Sequence, residues 1–455
     1  MADLAIHSKR VILENETTDA TLFISKGIII DIVDGTPQNY PGELIEAGNN
    51  VVMAGIIDTH VHINEPGRTE WEGFETATRA AIAGGITTLI EMPLNASPVT
   101  TTAKAFDKKV AAAQNKLYTN CGFWGGIVPG NANEIEKLID KGVFGFKAFL
   151  THSGIDDFPN VSEDDLRKAM PIIARHQLPL LVHCELKSEL LDVSNDKKKK
   201  ENNNTSYKNY LASRPKKSED DAIALMIKLC EEYNCPVHIV HLSSSDSIEQ
   251  ISRAKQKGLP LTVETAQHYL FFNAEEILDG ATQFKCAPPI RAKENNELLW
   301  RALKDGIIDF VATDHSPATP SLKEIESGNF MKAWGGIASL QFALPALWTA
   351  AKKRNCSVVD IAKWLCANPA KLIGAQNNKG TLAKGYDADI VIWSDEKAFA
   401  ITEEIIRHRH KITPYLNTTL YGSTEQTYLA GMKVFDKEEI INGPLGRVLT
   451  RNTNT

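Results

Sequence analysis

The sequence lacks the features that mark several classes of protein. None of its apolar runs approaches the ~20 residues that span a membrane. Seven cysteines in 455 residues, with no regular spacing, exclude a disulfide-built scaffold. Neither sign of charge is in large excess, because 50 basic residues stand against 57 acidic ones, for a net charge of −7. The sequence therefore offers no basic footprint for nucleic acid or for an anionic membrane.

The composition is that of a folded globular protein. Hydrophobic residues make up 43% of the chain and charged residues 24%, which excludes a disordered or fibrous chain. The first residues, MADLAIHSKR, carry charge where a secretory signal needs an apolar core, so we expect no export. Together with the cysteine pattern, this predicts a soluble protein of the cytoplasm.

Strand patterns at both ends of the chain predict a small domain built from the two termini. Short apolar segments separated by turn residues recur at 11–13, 21–24, 27–33, 380–393 and 425–435. We expect residues 1–54 and 376–455 to form a β-sandwich domain. Residues 55–375 would then be inserted into it as a catalytic domain.

The middle of the chain alternates short apolar runs with helical patterns, which indicates parallel strands joined by helices. The eight candidate strands occupy 56–62, 86–93, 121–128, 145–150, 179–183, 236–241, 259–266 and 308–315. Eight such strands predict an α/β fold of the TIM-like (β/α)8 barrel type, with loops longer than usual. An open doubly wound sheet is the alternative, but no GxGxxG motif follows the first strand. The lysine-rich stretch 195–206 is interpreted as a solvated loop.

The first barrel strand ends in two histidines, His60 and His62. Because side chains alternate along a strand, both imidazoles lie on the same side. Barrel active sites lie at the carboxyl ends of the strands, where such a pair can bind zinc or a similar ion. A His-x-His pair alone is a weak signal, since two structural histidines give the same pattern.

Lys147 lies in GFKAFL, an apolar segment in which an ammonium group is costly to bury. One interpretation is a lysine that reaches solvent or pairs with a carboxylate. The alternative is that desolvation lowers its pKa, so that the neutral amine captures CO2 as a carbamate. A carbamate has two anionic oxygens and is suited to bridging two divalent ions.

Three further polar residues end apolar strands: His183 the fifth, His241 the sixth and Asp314 the eighth. His238 lies three residues before His241, an odd spacing, so only one of the two is expected to face the barrel interior. We assign His241 to the interior and His238 to packing or hydrogen bonding. Asp314 alone would be a helix cap as readily as a ligand, and His315 points the other way.

Metal-competent side chains thus fall in order at the ends of strands one, four, five, six and eight, for which chance is a poor explanation. The local sequences resemble the amidohydrolase superfamily, in its cyclic-amidase branch of dihydropyrimidinases, dihydroorotases and allantoinases. The resemblance spans nearly the whole chain, with GIIDTHVHINEPGR, GFKAFL, HIVHLSS, KCAPPIR, ATDHSP and GTLAKGYDADIVIW. Within the branch, segments 64–95, 329–341 and 408–422 are similar to allantoinases.

The resemblance implies two divalent metal ions per chain, most often zinc, bound by six residues. The implied ligands are His60, His62 and Asp314 for one ion, His183 and His241 for the other, and carbamylated Lys147 between the two. The resemblance also implies a homotetramer that acts on a small molecule. The charge balance predicts no nucleic-acid or membrane partner.

Asp314 is the implied catalytic residue, because it can take a proton from water and pass it to a departing nitrogen. Dihydroorotases hold a substrate carboxylate with an arginine at the position of Asn64, so a neutral ring is favoured here. Asn95, Ser316 and Asn64 are candidate substrate contacts. Arg68 is either a further contact or forms a surface ion pair with Glu70 or Glu72.

Two departures from the branch affect the pocket wall. Ala266-Gln267 stands where relatives commonly carry Cys-Pro, and Ala287 stands where they often carry serine.

The implied reaction is hydrolytic ring opening of allantoin to allantoate by a metal-bridging hydroxide, in purine degradation. The alternative in the same class is a dihydropyrimidinase or hydantoinase acting on another cyclic amide. The alternative in a different class is a catalytically inactive scaffold relative.

Overall fold

The computed structural model describes residues 2–37, 40–186 and 204–451. Most of the lysine-rich stretch, residues 195–203, lies outside the described residues. Among the helices within them, none is long and apolar enough to cross a membrane.

The strands and helices follow one another along the whole chain. In chain order the strands are β1 (Leu4–Leu13), β2 (Glu16–Ser25), β3 (Ile28–Asp34), β4 (Glu43–Glu46), β5 (Val51–Ala54), β6 (Ile56–Val61), β7 (Ile86–Glu91), β8 (Asn120–Phe123), β9 (Gly125–Gly126), β10 (Phe146–Phe149), β11 (Leu180–His183), β12 (Val237–Ile239), β13 (Leu261–Ala266), β14 (Phe310–Ala312), β15 (Ile390–Ala400), β16 (Thr419–Leu429), β17 (Met432–Asp436) and β18 (Glu439–Ile440). The helices are α1 (Phe74–Ala83), α2 (Ala103–Ala113), α3 (Ile135–Asp140), α4 (Glu163–Arg175), α5 (Tyr207–Ala212), α6 (Lys216–Tyr233), α7 (Ile248–Gln256), α8 (Gln267–Phe271), α9 (Lys293–Lys304), α10 (Ala343–Lys352), α11 (Val358–Ala362) and α12 (Asn368–Leu372).

Both ends of the chain contribute strands to one sheet. Its order is β18-β17-β16-β15-β5-β1-β2-β3, with β4 beside β1. β5 and β15 pair antiparallel at the centre, with Ile390 opposite Ala54 and Trp393 opposite Val51. Main-chain hydrogen bonds therefore join the first and last parts of the chain directly.

The middle of the chain forms the barrel. The parallel strands β6, β7 and β8 make one arc, and β9 to β14 make the other. The predicted third strand is divided, because β8 and β9 lie on either side of Trp124. The first and last strands meet where the backbone N–H of His62 donates to the carbonyl of His315 at 2.8 Å. The eight predicted strand positions are confirmed.

Burial explains why these short segments form strands. Every residue of β6, β7, β8, β10 and β11 is buried, as expected for a parallel sheet that is covered on both faces. The hydrophobic core runs without interruption from the terminal sheet into the barrel. At this junction Trp348 of α10 packs edge-on against Trp393, with ring centroids 5.5 Å apart.

Two barrel strands end earlier than the sequence predicts. β12 ends at Ile239 and β14 ends at Ala312, so His241 and Asp314 each lie two residues beyond a strand. Both residues are in the left-handed region, with φ of 39° and 46°. The alternation of side chains along a strand therefore does not determine where they point, and tertiary contacts hold these backbone conformations.

A buried ion pair holds α2 against the barrel. The Nζ atom of Lys109 contacts Oε2 of Glu91 at the end of β7, and it also donates to the carbonyl of Met92 at 3.1 Å. Both charged side chains are fully buried. An unpaired carboxylate in this position would be costly.

We predict that Lys109→Met destabilises the protein by about 3–5 kcal/mol, because it leaves Glu91 buried without its cation. The double variant Glu91→Gln/Lys109→Met should recover most of that loss. Urea denaturation of the two variants and the wild type measures the difference. A single variant no less stable than the double variant would contradict the assignment.

Candidate active site

A cavity of about 460 Å³ opens at the carboxyl ends of the barrel strands. Five of the six predicted metal ligands line it: His60, His62, His183, His241 and Asp314. The segments that follow β7, β10, β11, β13 and β14 contribute further wall residues. The cavity therefore lies where barrel enzymes place their active sites.

Three of the predicted ligands form a tight cluster. The Nε2 atom of His60 lies 3.2 Å from Oδ1 of Asp314, and Nε2 of His62 lies 3.7 Å from the same oxygen. Their candidate ligand atoms all lie within 4.8 Å of one another, and all three residues are buried. Two imidazoles and a carboxylate at this spacing are a suitable donor set for a divalent metal ion.

The other two histidines face each other. Nδ1 of His183 and Nε2 of His241 are 3.0 Å apart. The ring of His183 stacks on Phe149 at 4.6 Å, and the ring of His241 lies 5.3 Å from that of His60. The two histidine groups are therefore neighbours within one site.

Lys147 is buried beneath this cluster in β10. Its Nζ atom has no hydrogen-bond partner among the described residues and lies 5.0 Å from the ring centre of Phe149. Burial lowers the pKa of Lys147 to about 8, against the opposing effect of nearby Glu264 and Asp314. The interpretation of Lys147 as a lysine that reaches solvent is wrong, because the side chain is fully buried.

Burial also keeps the imidazoles neutral. It lowers the pKa of His60 to about 4 and holds the pKa values of His62 and His241 well below the ordinary value. Neutral imidazole is the form that binds a metal. Burial raises the pKa of Asp314 well above its ordinary value, and a bound cation would reverse that shift. The donor set therefore fits a divalent metal site.

The sequence reasoning missed two buried carboxylates that contact the histidines. Oε1 of Glu264 in β13 contacts Nδ1 of His60, and Oε2 lies 3.2 Å from Nε2 of His238. Oε2 of Glu185 lies 2.7 Å from Nε2 of His183. Glu264 could have been found as a charged residue within a predicted buried strand. Glu185 could have been found because it lies two residues after His183, on the same side of an extended chain.

Both carboxylates are ionised in spite of their burial. Burial works to raise the pKa of Glu264, but the His60 and His238 rings hold it below its usual range. Burial acts in the same way on Glu185, and Arg214 with His183 lowers its pKa. Arg214 pairs with Glu185 through Nε and Nη2 and also lines the cavity.

His238 is hydrogen-bonded, as predicted, but it also reaches the interior network. Its Nδ1 atom lies 2.8 Å from Oγ1 of Thr262, and its other nitrogen lies close to Glu264. The expectation that only one of His238 and His241 faces inward is therefore wrong, because the two histidines lie at different depths of the barrel. His315 points away from the cluster, as predicted, with Nε2 3.6 Å from Glu72.

Comparison with known proteins agrees with this geometry. The profile of the amidohydrolase family matches residues 51–432. The chain belongs to the amidohydrolase family.

Individual relatives match over nearly their full length. The chain is 43% identical over 450 residues to an allantoinase of Streptomyces avermitilis, with 99% of each chain covered. It is 40% identical to an allantoinase of Saccharomyces cerevisiae, with 98% of each covered. Among solved structures, an L-hydantoinase (dihydropyrimidinase) from Arthrobacter aurescens has a TM-score of 0.93 at 30% identity, covering 99% of this chain and 100% of that one.

The predicted substrate contacts of this amidohydrolase divide into two groups. Asn95 and Ser316 line the cavity, as does Ala287. The Nδ2 atom of Asn95 lies 3.4 Å from Nδ1 of His62, and its Oδ1 has no partner in the part of the chain that the structure describes.

The other two candidates lie elsewhere. Across the described ranges, the residues that line the cavity do not include Asn64 or Arg68. Asn64 is fully buried and donates to the carbonyl of Pro317 at 3.4 Å. Arg68 donates to the carbonyl of Asn95 at 2.8 Å and pairs with Asp157 at 3.2 Å. Arg68 therefore does form an ion pair, but its partner is Asp157 in the loop after β10 and not a neighbouring glutamate.

Two buried lysines hold the cavity wall around Trp334 in this amidohydrolase. Nζ of Lys323 donates to the carbonyls of Lys285, Trp334 and Gly336 at 2.8–3.1 Å. Nζ of Lys285 donates to the carbonyl of Ala333 at 2.5 Å. Burial lowers the pKa of Lys323 to about 7 and that of Lys285 to about 8. The wall segment is therefore held by two buried lysine amines whose charged forms burial disfavours.

We predict that Lys323→Met changes how stability depends on pH. Between about pH 7 and the ordinary lysine pKa, the unfolded chain binds a proton that the folded protein lacks. The free energy of unfolding of the wild type, relative to the variant, should therefore rise with pH, by at most ~1.4 kcal/mol per pH unit. Urea denaturation at pH 7, 8 and 9 measures this change.

The matched control is Lys332→Met, because Lys332 lies on the same wall but is exposed. Its difference from the wild type should stay constant across the same pH range. If the Lys323→Met difference is equally flat, burial of the Lys323 ammonium does not affect stability.

Proposed function

We propose that this amidohydrolase hydrolyses the ring amide of allantoin to give allantoate, in purine degradation. The observation that carries the proposal is the convergence of the metal-competent side chains at one cavity. The relatives named above, at 40–43% identity over almost the whole chain, are allantoinases. The protein is an enzyme that opens a cyclic amide.

We assign two divalent ions to the six buried candidate ligands. His60, His62 and Asp314 would hold one ion, His183 and His241 would hold the other, and carbamylated Lys147 would bridge them. The buried Nζ atom of Lys147, without a partner among the described residues, supports the carbamate, because its lowered pKa makes the neutral amine accessible. Histidine-rich sites of this type favour zinc.

When bound, such a metal pair acts as a Lewis acid and lowers the pKa of water so that it attacks at neutral pH. Asp314 accepts the proton of the attacking water at its carboxylate. It then delivers that proton to the ring nitrogen as the C–N bond breaks. Water is consumed, one C–O bond forms, and the product is a ring-opened ureido acid.

Asn95 and Ser316 are the proposed substrate contacts. The Oδ1 atom of Asn95 is an acceptor without a partner among the described residues, which suits an N–H group of a neutral ring. Ser316 lies two residues beyond Asp314 on the same wall and offers a hydroxyl group. A neutral hydantoin ring with a ureido arm matches these amide-type groups.

The domain boundaries, assembly and location are part of the proposal. The pairing of β5 with β15 supports a terminal domain of residues 1–54 and 376–455 around a catalytic domain of residues 55–375. We propose a homotetramer, by analogy with the cyclic-amidase branch. All seven cysteines are free and buried, which agrees with a reducing compartment such as the cytoplasm.

We predict turnover of allantoin by protein that carries about two divalent ions per chain, and loss of turnover after treatment with a chelator. Metal analysis and a ring-opening assay with allantoin, hydantoin, dihydrouracil and dihydroorotate measure both. Preference for hydantoin or dihydrouracil would favour the hydantoinase alternative. An absence of metal in an active preparation would contradict the mechanism, and inactivity on all four rings with metal bound would contradict the proposed substrate class.

We predict that Asp314→Asn lowers turnover of allantoin by ~10²–10⁴-fold, because the amide can neither accept the proton nor balance the metal charge. The side-chain volume is nearly unchanged, so folding should survive. The control is His315→Asn, one residue further along and turned away from the cluster, which should retain its metal. If Asp314→Asn stayed active and His315→Asn lost its metal, then His315 and not Asp314 would face the metal site.

A further inference from the structure

The two proposed metal positions each include a histidine whose far ring nitrogen touches a buried glutamate. For His60, Nε2 faces Asp314 and Nδ1 contacts Glu264. For His183, Nδ1 faces His241 and Nε2 contacts Glu185. The two rings therefore offer opposite nitrogens to the site.

Each glutamate is itself held in place. Glu264 is fully buried and lies between His60 and His238. The ring of His238 is fixed by Thr262 on one side and stacks on Phe310, with ring centroids 5.2 Å apart and planes inclined by 7°. This network belongs to the barrel interior, and within the described parts of the chain only its His60 side chain lines the cavity.

The second network reaches the cavity. Glu185 is 3% exposed and accepts two hydrogen bonds from the guanidinium of Arg214. Arg214 lines the cavity together with His183. A planar guanidinium that binds both carboxylate oxygens fixes the orientation of the carboxylate better than a lysine would.

We propose that Glu264 and Glu185 are positioning residues that determine which ring nitrogen of His60 and of His183 is offered to metal. A carboxylate accepts an N–H, so the proton resides on Nδ1 of His60 and on Nε2 of His183. The opposite nitrogen of each ring then carries the lone pair that a metal requires. The inference rests on the metal sites of the proposed function and adds two residues that do not touch the metal or the substrate.

The test uses Glu264→Gln and Glu185→Gln in the full-length protein. Glutamine keeps the size of the side chain, but it removes the charge and can present an N–H to the ring, which favours the wrong tautomer. We expect each variant to bind Zn²⁺ about 10–100-fold more weakly than the wild type, since loss of such a partner typically has this effect. Competition with a chromogenic chelator measures the affinity.

A second measurement separates positioning from catalysis. At saturating metal, the variants should regain most of their kcat for allantoin while the weaker metal affinity persists. In the Co²⁺-loaded protein, the visible absorption spectrum should differ between each variant and the wild type, because a misoriented imidazole changes the geometry of the ligands. A purely structural role would lower stability without changing this spectrum.

The matched control is Asp389→Asn, in a buried ion pair outside the cavity. Oδ2 of Asp389 lies 2.6 Å from Nζ of Lys379, and Asp389 is 5% exposed. This variant should lose stability and keep the metal affinity and spectrum of the wild type. Equal metal loss in Asp389→Asn and in the two glutamate variants would overturn the proposal, as would unchanged metal affinity in both glutamate variants. Wild-type protein that binds no metal would instead overturn the proposed function.

Discussion

Four histidine rings and one lysine amine lie together at the mouth of the barrel, and burial lowers the pKa of all five groups. A nitrogen that carries a proton cannot bind a metal, so this desolvation favours the neutral form that a metal site requires. The surrounding structure favours neutral imidazoles because it buries them, and it places the carboxylates of Glu264 and Glu185 against ring nitrogens of His60 and His183.

The barrel meets this requirement because its strands converge at one end. His60, Lys147 and His183 lie on β6, β10 and β11, far apart in the chain but adjacent at the carboxyl edge. Each strand is too short to be stable alone, and the pairing of its neighbours holds it. The terminal sheet adds its own apolar face to the same core, so the two ends of the chain also contribute to the stability of the barrel.

The cavity wall depends on a different kind of support. Lys285 and Arg214 line the opening, and the buried Lys323 lies behind its wall. Lys323 and Lys285 hold carbonyl groups of a segment without regular secondary structure, and Arg214 holds the carboxylate of Glu185. Loops of this kind satisfy their backbone groups with side chains because they have no strand or helix partner. The wall is therefore the part of the site that local sequence patterns predict least well.

The sequence by itself determined the alternation of strands and helices, the eight strand positions and the metal-competent residues at or just beyond the strand ends. Apolar runs of four to eight residues indicate strands that are buried on both faces. A polar residue at the end of such a run is therefore a candidate functional residue. Only the tertiary structure decided the direction of His241 and Asp314, because both adopt left-handed backbone conformations beyond the strand ends. It also decided that Glu264 and Glu185 contact the histidines and that Arg68 and Asn64 do not line the cavity. Such contacts join residues distant in the chain, and no periodicity along the sequence encodes which side chains meet across a barrel.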